Sequence, residues 1–455
     1  LKKTLEAQRA VNRESVIRKF FVWDDKDEGK PGNEQQTDNV SEKTTNVKRS
    51  KKRKSRPSRK KKMQEVSGRL PWVVPFKDGH APQRPWLDLI QQPSRQKGDA
   101  RSILGNELLG LMTFLRPSST EQDAVNHIID DLSYKLQGIV PNPPELIGSR
   151  HAELATSIST IDLMILVDDD PIHNTSKDKP PAITPDMKYN YLEMLTQAED
   201  VLKKDFGYRD CQVLFYKSSS LLFFHRASGL PVKLFCRNYP SKLEEFIRDS
   251  LRELPSLMPL CLIMRVFLES KSLFGWEAES LNSNALCLLI MAFLKQQPRD
   301  FTSKSLGEQL LSLLYTYGKQ IDITTTCISA SPAEFFTRST ILKQERSFIK
   351  DNMTIPDYLR GQRAILNYKL HAKHKGNTGV ASHLCIQDPT NYLVDVGLRS
   401  FRTPELQRTF SGLYDDLKLA LERWDEGHRD DDTILGQVLR ADFRVLLRMK
   451  RRLTM

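Results

Sequence analysis

Gly148-Ser149-Arg150-His151-Ala152-Glu153-Leu154-Ala155-Thr156-Ser157-Ile158-Ser159-Thr160-Ile161-Asp162 is the stretch on which the reading of this chain turns. A Gly-Ser turn leads into Ile161 to Val167, a β-branched and apolar run with strand character. Side chains at i and i+2 of a strand share one face, so Thr160 and Asp162 project to the same side. Here only Asp162 is acidic.

Working outward, further short apolar runs lie at Cys211 to Tyr216, Leu221 to His225 and Pro231 to Cys236, the last alternating with Val232, Leu234 and Cys236 on one face. These predict a small mixed sheet, with a helix around Tyr189 to Lys203 between its strands. Upstream, Leu104, Leu108, Leu111 and Leu115 repeat at helical spacing, and Pro117-Ser118-Ser119-Thr120-Glu121 starts a second helix through Ile128, Ile129 and Leu132. Downstream the pattern turns helical. Leu257, Leu260, Cys261, Met264 and Leu268 make one face, and Leu281, Ala285, Leu288, Leu289, Ala292 and Phe293 another. A third helix runs through Leu306, Leu310, Leu313, Leu314 and Tyr317, with Gly318 as its stop.

The chain has 455 residues, enough for more than one domain, and a formal charge of +12. The excess is concentrated. Lys48, Arg49, Lys51, Lys52, Arg53, Lys54, Arg56, Arg59, Lys60, Lys61 and Lys62 fall in one run without an acidic residue, leaving the rest near neutral. Such a run suits a polyanion such as RNA, and a nuclear-import signal has the same composition. Six well-separated cysteines with no CxxC pair argue against a zinc module and for a reducing compartment. The longest apolar run, Ala285 to Leu294, is too short to span a bilayer. His371 and His374 sit among Lys369, Lys373 and Lys375 and read as a solvated basic loop, and His383 with Cys385 matches no zinc spacing, so no metal site is expected. The chain opens on Leu1, as expected if a presequence had been removed.

The Gly148-Ser149 turn followed by Ser159-Thr160-Ile161-Asp162 resembles the poly(A) polymerase and terminal uridylyltransferase family of the DNA polymerase beta nucleotidyltransferase superfamily. Pro255 to Arg265, Glu279 to Leu286, Leu306-Gly307 and Tyr315 to Gly318 are similar to that family's helical domain. Ile386 to Asn391 and Asp395-Val396-Gly397 are similar to its nucleotide-recognition loop, although Asp-Pro and Val-Gly are also ordinary turn chemistry. The resemblance covers about residues 100 to 415. It implies an α+β fold, a nucleotidyltransferase palm-like mixed sheet domain plus a helical poly(A)-polymerase-associated domain, with basic N- and C-terminal extensions. The expected divisions are a basic arm (1–63), a Pro- and Trp-rich surface linker (64–99), the nucleotidyltransferase-like domain (100–240), the helical domain (241–430) and a basic C-terminal helix (431–455), the helices within 102–135 being free to pack on either domain.

The departures from the family's pattern shape the functional expectation. The first acid of the acid-x-acid pair falls on Thr160, the second is Asp162, and the third carboxylate, on the strand after Ser228-Gly229-Leu230, falls on Lys233. Two cations that should meet a triphosphate are Arg265 and Glu269, the stacking Tyr beside Ser283 is Asn284, and an expected glycine is Glu153. Gly148, Ser149, Arg265, Ser283, Asn284, Asp388, Asn391 and Asp395 are then the remnant of a nucleotide site, and Asp162 is open to a structural pairing with Lys233. At the C-terminus, Leu439, Phe443, Leu446 and Leu447 accompany Arg448, Lys450, Arg451 and Arg452, an amphipathic basic helix able to meet RNA. The expectation is an inactive nucleotidyltransferase scaffold, with no cofactor, no zinc and no membrane span. Its partners would be RNA, ribosomal RNA above all, and neighbouring ribonucleoprotein subunits, in a mitochondrial ribosome of the matrix. The alternatives are an active poly(A) or poly(U) RNA polymerase using Mg²⁺ with ATP or UTP, in mitochondria or nucleus, and a nuclear RNA-surveillance adaptor.

Overall fold

The helix opening at Ser119 shows how local chemistry sets the architecture. Pro117 precedes Ser118, whose hydroxyl accepts from Glu121 N (3.2 Å), while the Glu121 carboxylate accepts from Ser118 N (2.7 Å). This reciprocal cap satisfies two backbone donors that the first helical turn leaves open. The computed structural model describes residues 83–90, 99–167, 184–214, 219–237, 242–275, 278–428 and 433–454, with the backbone of 74–75. The basic run from Lys48 to Lys62, Asp168 to Asp170 and Trp276 lie outside the described residues.

Helices α1 (Ala100–Leu115) and α2 (Ser119–Lys135) come first, as the leucine spacing predicts. A five-stranded sheet follows, from β1 (Glu145–Ile147), β2 (Ile161–Leu166), β3 (Tyr208–Leu214), β4 (Ser220–His225) and β5 (Pro231–Arg237), with α3 (Pro185–Lys204) inserted after β2. Its order is β1-β2-β5-β4-β3. Only β2 and β5 run parallel, so the sheet is mixed, and their register sets Asp162 directly beside Lys233. Strand β1, three residues long, was not foreseen, whereas helix α4 (Lys242–Glu253) falls where the pattern turns helical.

The helical part comprises α5 (Leu257–Ser270), α6 (Ser283–Lys295) and α7 (Leu306–Tyr315). A three-stranded sheet β7-β6-β8 follows, with β6 (Cys327–Ala330), β7 (Ala333–Phe336) and β8 (Ile386–Gln387). Between and after these strands come α8 (Arg338–Lys350), α9 (Asp357–His374) and α10 (Thr403–Asp425). Every residue of α6 from Ala285 to Leu294 is buried, so this apolar run is a core helix enclosed on all sides and not a one-sided amphipath. None of the helices among the described residues is long and apolar enough to cross a membrane.

Three sequence expectations are corrected. Gly318 does not stop its helix: the chain continues through a π turn, Thr316–Gln320, and a Cβ at Gly318 would lie 2.5 Å from Ser411 N of α10. The glycine therefore permits close helix packing. Trp86, expected in a surface linker, is fully buried and meets Phe443 edge to face (6.0 Å between centroids). The segment 431–455 is not one helix. A single turn at Ile434–Val438 is followed by Ala441–Asp442, which pairs with Val74–Pro75, and only then by α11 (Arg444–Thr454). The apolar spacing of Leu439, Phe443 and Leu446 arises because all three fill one core, not because they share one helix.

Helix α1 packs against α5, α7 and the Ile434–Val438 turn. Buried Glu107 of α1 caps that turn, accepting from Thr433 Oγ1 (2.8 Å), Ile434 N (3.0 Å) and Leu435 N (2.6 Å). Replacing Glu107 by Ala would orphan three buried donors, and a loss of about 2–4 kcal/mol in urea denaturation is expected. Glu107→Gln, which keeps an acceptor, should lose less.

Candidate functional site

Gly148 ends β1 with φ +71°, and a Cβ there would come within 2.9 Å of Asp162 Oδ2, so the turn needs glycine both for its backbone and for room. Residues Gly148–His151 form one helical turn, and Ile147 pairs with Asp162 across β1 and β2. Gly148 N donates to Glu244 Oε2 of α4 (3.0 Å). Glu153 takes φ +58°, the left-handed backbone that explains why glycine is expected at this position.

Arg150 is the part of this site that sequence reasoning missed. Its buried guanidinium donates through Nε to Ser159 O (3.1 Å) and through Nη2 to Ser157 O (3.0 Å) and Ser159 O (2.8 Å), clamping the loop that feeds β2. Its Nη1 has no hydrogen-bond partner among the described residues. Burial lowers the Arg150 pKa to about 10, against the opposing pull of Asp162 and Glu121. Ser159 Oγ accepts from Arg265 Nη1 (3.1 Å), and Arg265 Nε donates to Glu269 Oε1 (2.9 Å) one turn along α5.

Asp162 therefore sits among Lys233, Arg150, Arg265 and a second carboxylate, Glu244. Burial pushes its pKa up to about 6, with Glu244 adding to the rise while Lys233, Arg150 and Arg265 oppose it. Three cations are matched by three carboxylates, Asp162, Glu244 and Glu269. Lys233 also lies over the Phe235 ring at 4.9 Å. Thr160 and Ser149 are half-buried at the mouth of this group.

The other remnant positions are not joined to it. Ser283 and Asn284 open α6, behind Asn282, whose side chain accepts from Ala285 N (2.9 Å). Neither bonds to the Asp162 group among the described residues. Asp388 Oδ1 accepts from Thr390 N (2.8 Å), Thr390 Oγ1 (2.7 Å) and Asn391 N (3.2 Å) in an Asx turn, and Asn391 Oδ1 accepts from Leu393 N (3.3 Å). Asp395 Oδ1 accepts from Ile386 N and Gly397 N, both at 2.9 Å, and its Oδ2 meets His383 Nε2 at 2.6 Å. This loop is built by its own carboxylates.

His371 and His374 are exposed but lie on α9, and Lys369 of the same helix is buried, correcting the solvated basic loop expected there; His383 is buried as well. Lys369 Nζ donates to His383 O (2.6 Å), and His383 Nδ1 bonds Val380 O. The possible ligand atoms of His383, Cys385 and Asp395 lie within 4.8 Å of one another. Their hydrogen bonds are already spent on the loop, and the contact with Cys327 together with burial holds the Cys385 thiol well above its usual range. A buried ammonium beside a protonated thiol suits a structural lock and not a cation.

Comparison with known proteins agrees with the architecture. No protein-family model matches the chain. Poly(A) RNA polymerase protein 1 of Eremothecium gossypii is 25% identical over 227 residues, a match spanning 48% of this chain and 32% of that protein. Among solved structures, the polymerase core of TRAMP, an RNA surveillance complex, superposes with a TM-score of 0.58 at 20% identity, over 78% of this chain and 99% of that one. Terminal uridylyl transferase 4 from Trypanosoma brucei covers 75% of this chain and all of its own, at 13% identity and a TM-score of 0.49. The chain has the fold of the poly(A) polymerase class of nucleotidyltransferases: a mixed sheet joined to a helical domain.

The raised Asp162 pKa carries a signed consequence. From its usual value of 3.8 up to about 6 the folded state keeps a proton that the unfolded chain loses, so stability falls as pH rises through that window and is level above it. Asp162→Asn should remove this decline, a difference from wild type on the order of 2–3 kcal/mol in the change of stability between pH 4 and pH 7. Paired urea titrations across the window read it; a variant whose stability falls with pH as steeply as wild type's would contradict the assignment.

Proposed function

We propose that this chain is a nucleotidyltransferase-fold protein that no longer transfers nucleotides and serves as an RNA-bound structural subunit of a large ribonucleoprotein, specifically the mitochondrial ribosome of the matrix. The observation that carries the first half is the charge state of the cleft. Where two divalent cations would need three carboxylates, the positions hold Thr160, Asp162 and Lys233, and Asp162 is matched by protein cations. An ammonium beside the one remaining ligand opposes divalent ions by several kcal/mol at close range, about 4 for unit charges near 4 Å apart at an effective dielectric of 20. The donor set does not fit a two-metal centre.

The triphosphate side supports the same reading. Glu269 neutralises Arg265 inside the protein, so that guanidinium is engaged before any phosphate arrives. The second half rests on the dense cation run between Lys48 and Lys62 and on the buried, unbridged state of all six thiols, which suits a reducing compartment. Similarity to proteins named as poly(A) polymerases and to an RNA surveillance polymerase core supports an RNA setting.

A second reading has one observation in its favour. Glu244 places a carboxylate beside Asp162, so an active poly(A) or poly(U) polymerase using Mg²⁺ with ATP or UTP would draw on this pair. That reading requires Mg²⁺-dependent extension of an RNA 3′ end that both Asp162→Ala and Glu244→Gln abolish. The inactive scaffold instead shows no extension above background and no rise in melting temperature with Mg²⁺ and ATP, since a ligand stabilises only what it binds. Thr160→Asp with Lys233→Asp should create a Mg²⁺-dependent melting shift. Gradient sedimentation of mitochondrial lysates checks the assembly, and recovery of the chain from nuclei alone would overturn its location.

A further inference from the structure

We propose that the outward face of the C-terminal helix α11 is a binding surface for the sugar–phosphate backbone of RNA, formed by Arg448, Arg451 and Arg452 and held in place by Lys450. This rests on the RNA-bound reading above and is independent of the loss of catalysis.

The helix Arg444–Thr454 contains no acidic residue. Arg448, Arg451 and Arg452 are exposed, and none has an acidic partner among the described residues. At i, i+3 and i+4 they share one face and span about 6 Å of helix. Arg444, one turn earlier, is spent on Asp442 through both carboxylate oxygens. Lys450, grouped with these arginines on sequence grounds, plays a different part. Its Nζ donates to buried Glu121 Oε2 (3.1 Å) and to Arg116 O (3.1 Å), and lies over the Phe114 ring at 5.8 Å. It is an anchor.

The underside identifies the partner class. Leu446, Met449 and Leu453 are buried in the main core, and Phe443 just before the helix packs edge to face on Phe114 at 5.6 Å. A helix that rests on a lipid surface must offer its apolar face to acyl chains, and this one has already used it. What remains outside is a fixed set of guanidinium groups, planar forks suited to phosphate oxygens. Fixing them on a docked helix lowers the ordering cost that a flexible tail would incur. The turn at Gly229, leading into β5, approaches the same end: a Cβ at Gly229 would lie 3.2 Å from Arg452 Nη1.

The test uses the full chain and a fluorescent RNA hairpin, with affinity measured over a salt series. Arg448→Gln/Arg451→Gln/Arg452→Gln should lower the slope of log affinity against log salt by about 2 to 3, the counterions released by three phosphate contacts. The corresponding triple change to Lys should restore most of the slope, and melting temperatures of both variants should match wild type. An unchanged slope in the Gln variant, with wild type binding the hairpin, overturns this surface alone. No hairpin binding by wild type overturns the RNA-bound reading itself. Tighter capture of the helix by anionic vesicles or polyglutamate than by the hairpin, lost in the same Gln variant, overturns RNA as its partner.

Discussion

A guanidinium removed from water must find oxygen, and Arg150 finds it in the carbonyls of Ser157 and Ser159. An unpaired buried charge costs several kcal/mol, so the loop before β2 is held closed by the same bonds that make Arg150 tolerable there. Closing the loop places Ser159 Oγ where Arg265 reaches it, and Arg265 brings Glu269 with it. Asp162 begins in the middle of this arrangement, adjacent to Gly148 and in register with Lys233. The cations and carboxylates of the group balance one another in number.

The substitutions form pairs, which is why they can coexist with a well-packed sheet. Lys233 alone would place an ammonium in the interior edge of β5; beside Asp162 it has a partner of opposite sign. Glu269 alone would bury a carboxylate in α5; one turn from Arg265 it completes an ion pair that is almost wholly covered. Removing one member of such a pair is costly, whereas exchanging a whole set is close to neutral. The charges around Asp162 therefore depend on one another. Restoring one carboxylate at Lys233 without also changing Thr160 would leave too many like charges around Asp162 and too few ligands for an ion.

Much of this was legible in the sequence because the fold-setting signals are local. The Ser118–Glu121 cap, the alternation of Val232, Leu234 and Cys236 and the leucine repeat of α1 each predict their element by short-range chemistry. The strand β2 and the position of Asp162 on it followed from one apolar run. The missed elements are too short or too long-range to leave a signal. Strands β6 and β7 are a hairpin of four-residue strands, and the two-residue β8 exists only because Ile328 pairs with Ile386, 58 positions away. Arg150 carries no signal in the sequence, since its role depends on carbonyls delivered by a later loop. The pairing of His383 with Asp395 has no local signal either, because only the return of the chain after β8 brings the two within hydrogen-bond reach.

Glu121 shows how the ends of the chain and the cleft came to be one structure. Its carboxylate caps α2, accepts from Ser157 Oγ (3.1 Å) and receives Lys450 from the last helix. Ser157 is also where Arg150 is satisfied. A bond chain thus runs from α11 through Glu121 and Ser157 to Arg150 and the neighbourhood of Asp162. Each link is a polar group buried enough that its loss leaves another orphaned, which makes the chain cooperative in the sense that buried networks are. The loop before β2 is thereby bonded to the C-terminal helix, so that opening it would cost the hydrogen bonds of Arg150, Ser157 and Glu121 together.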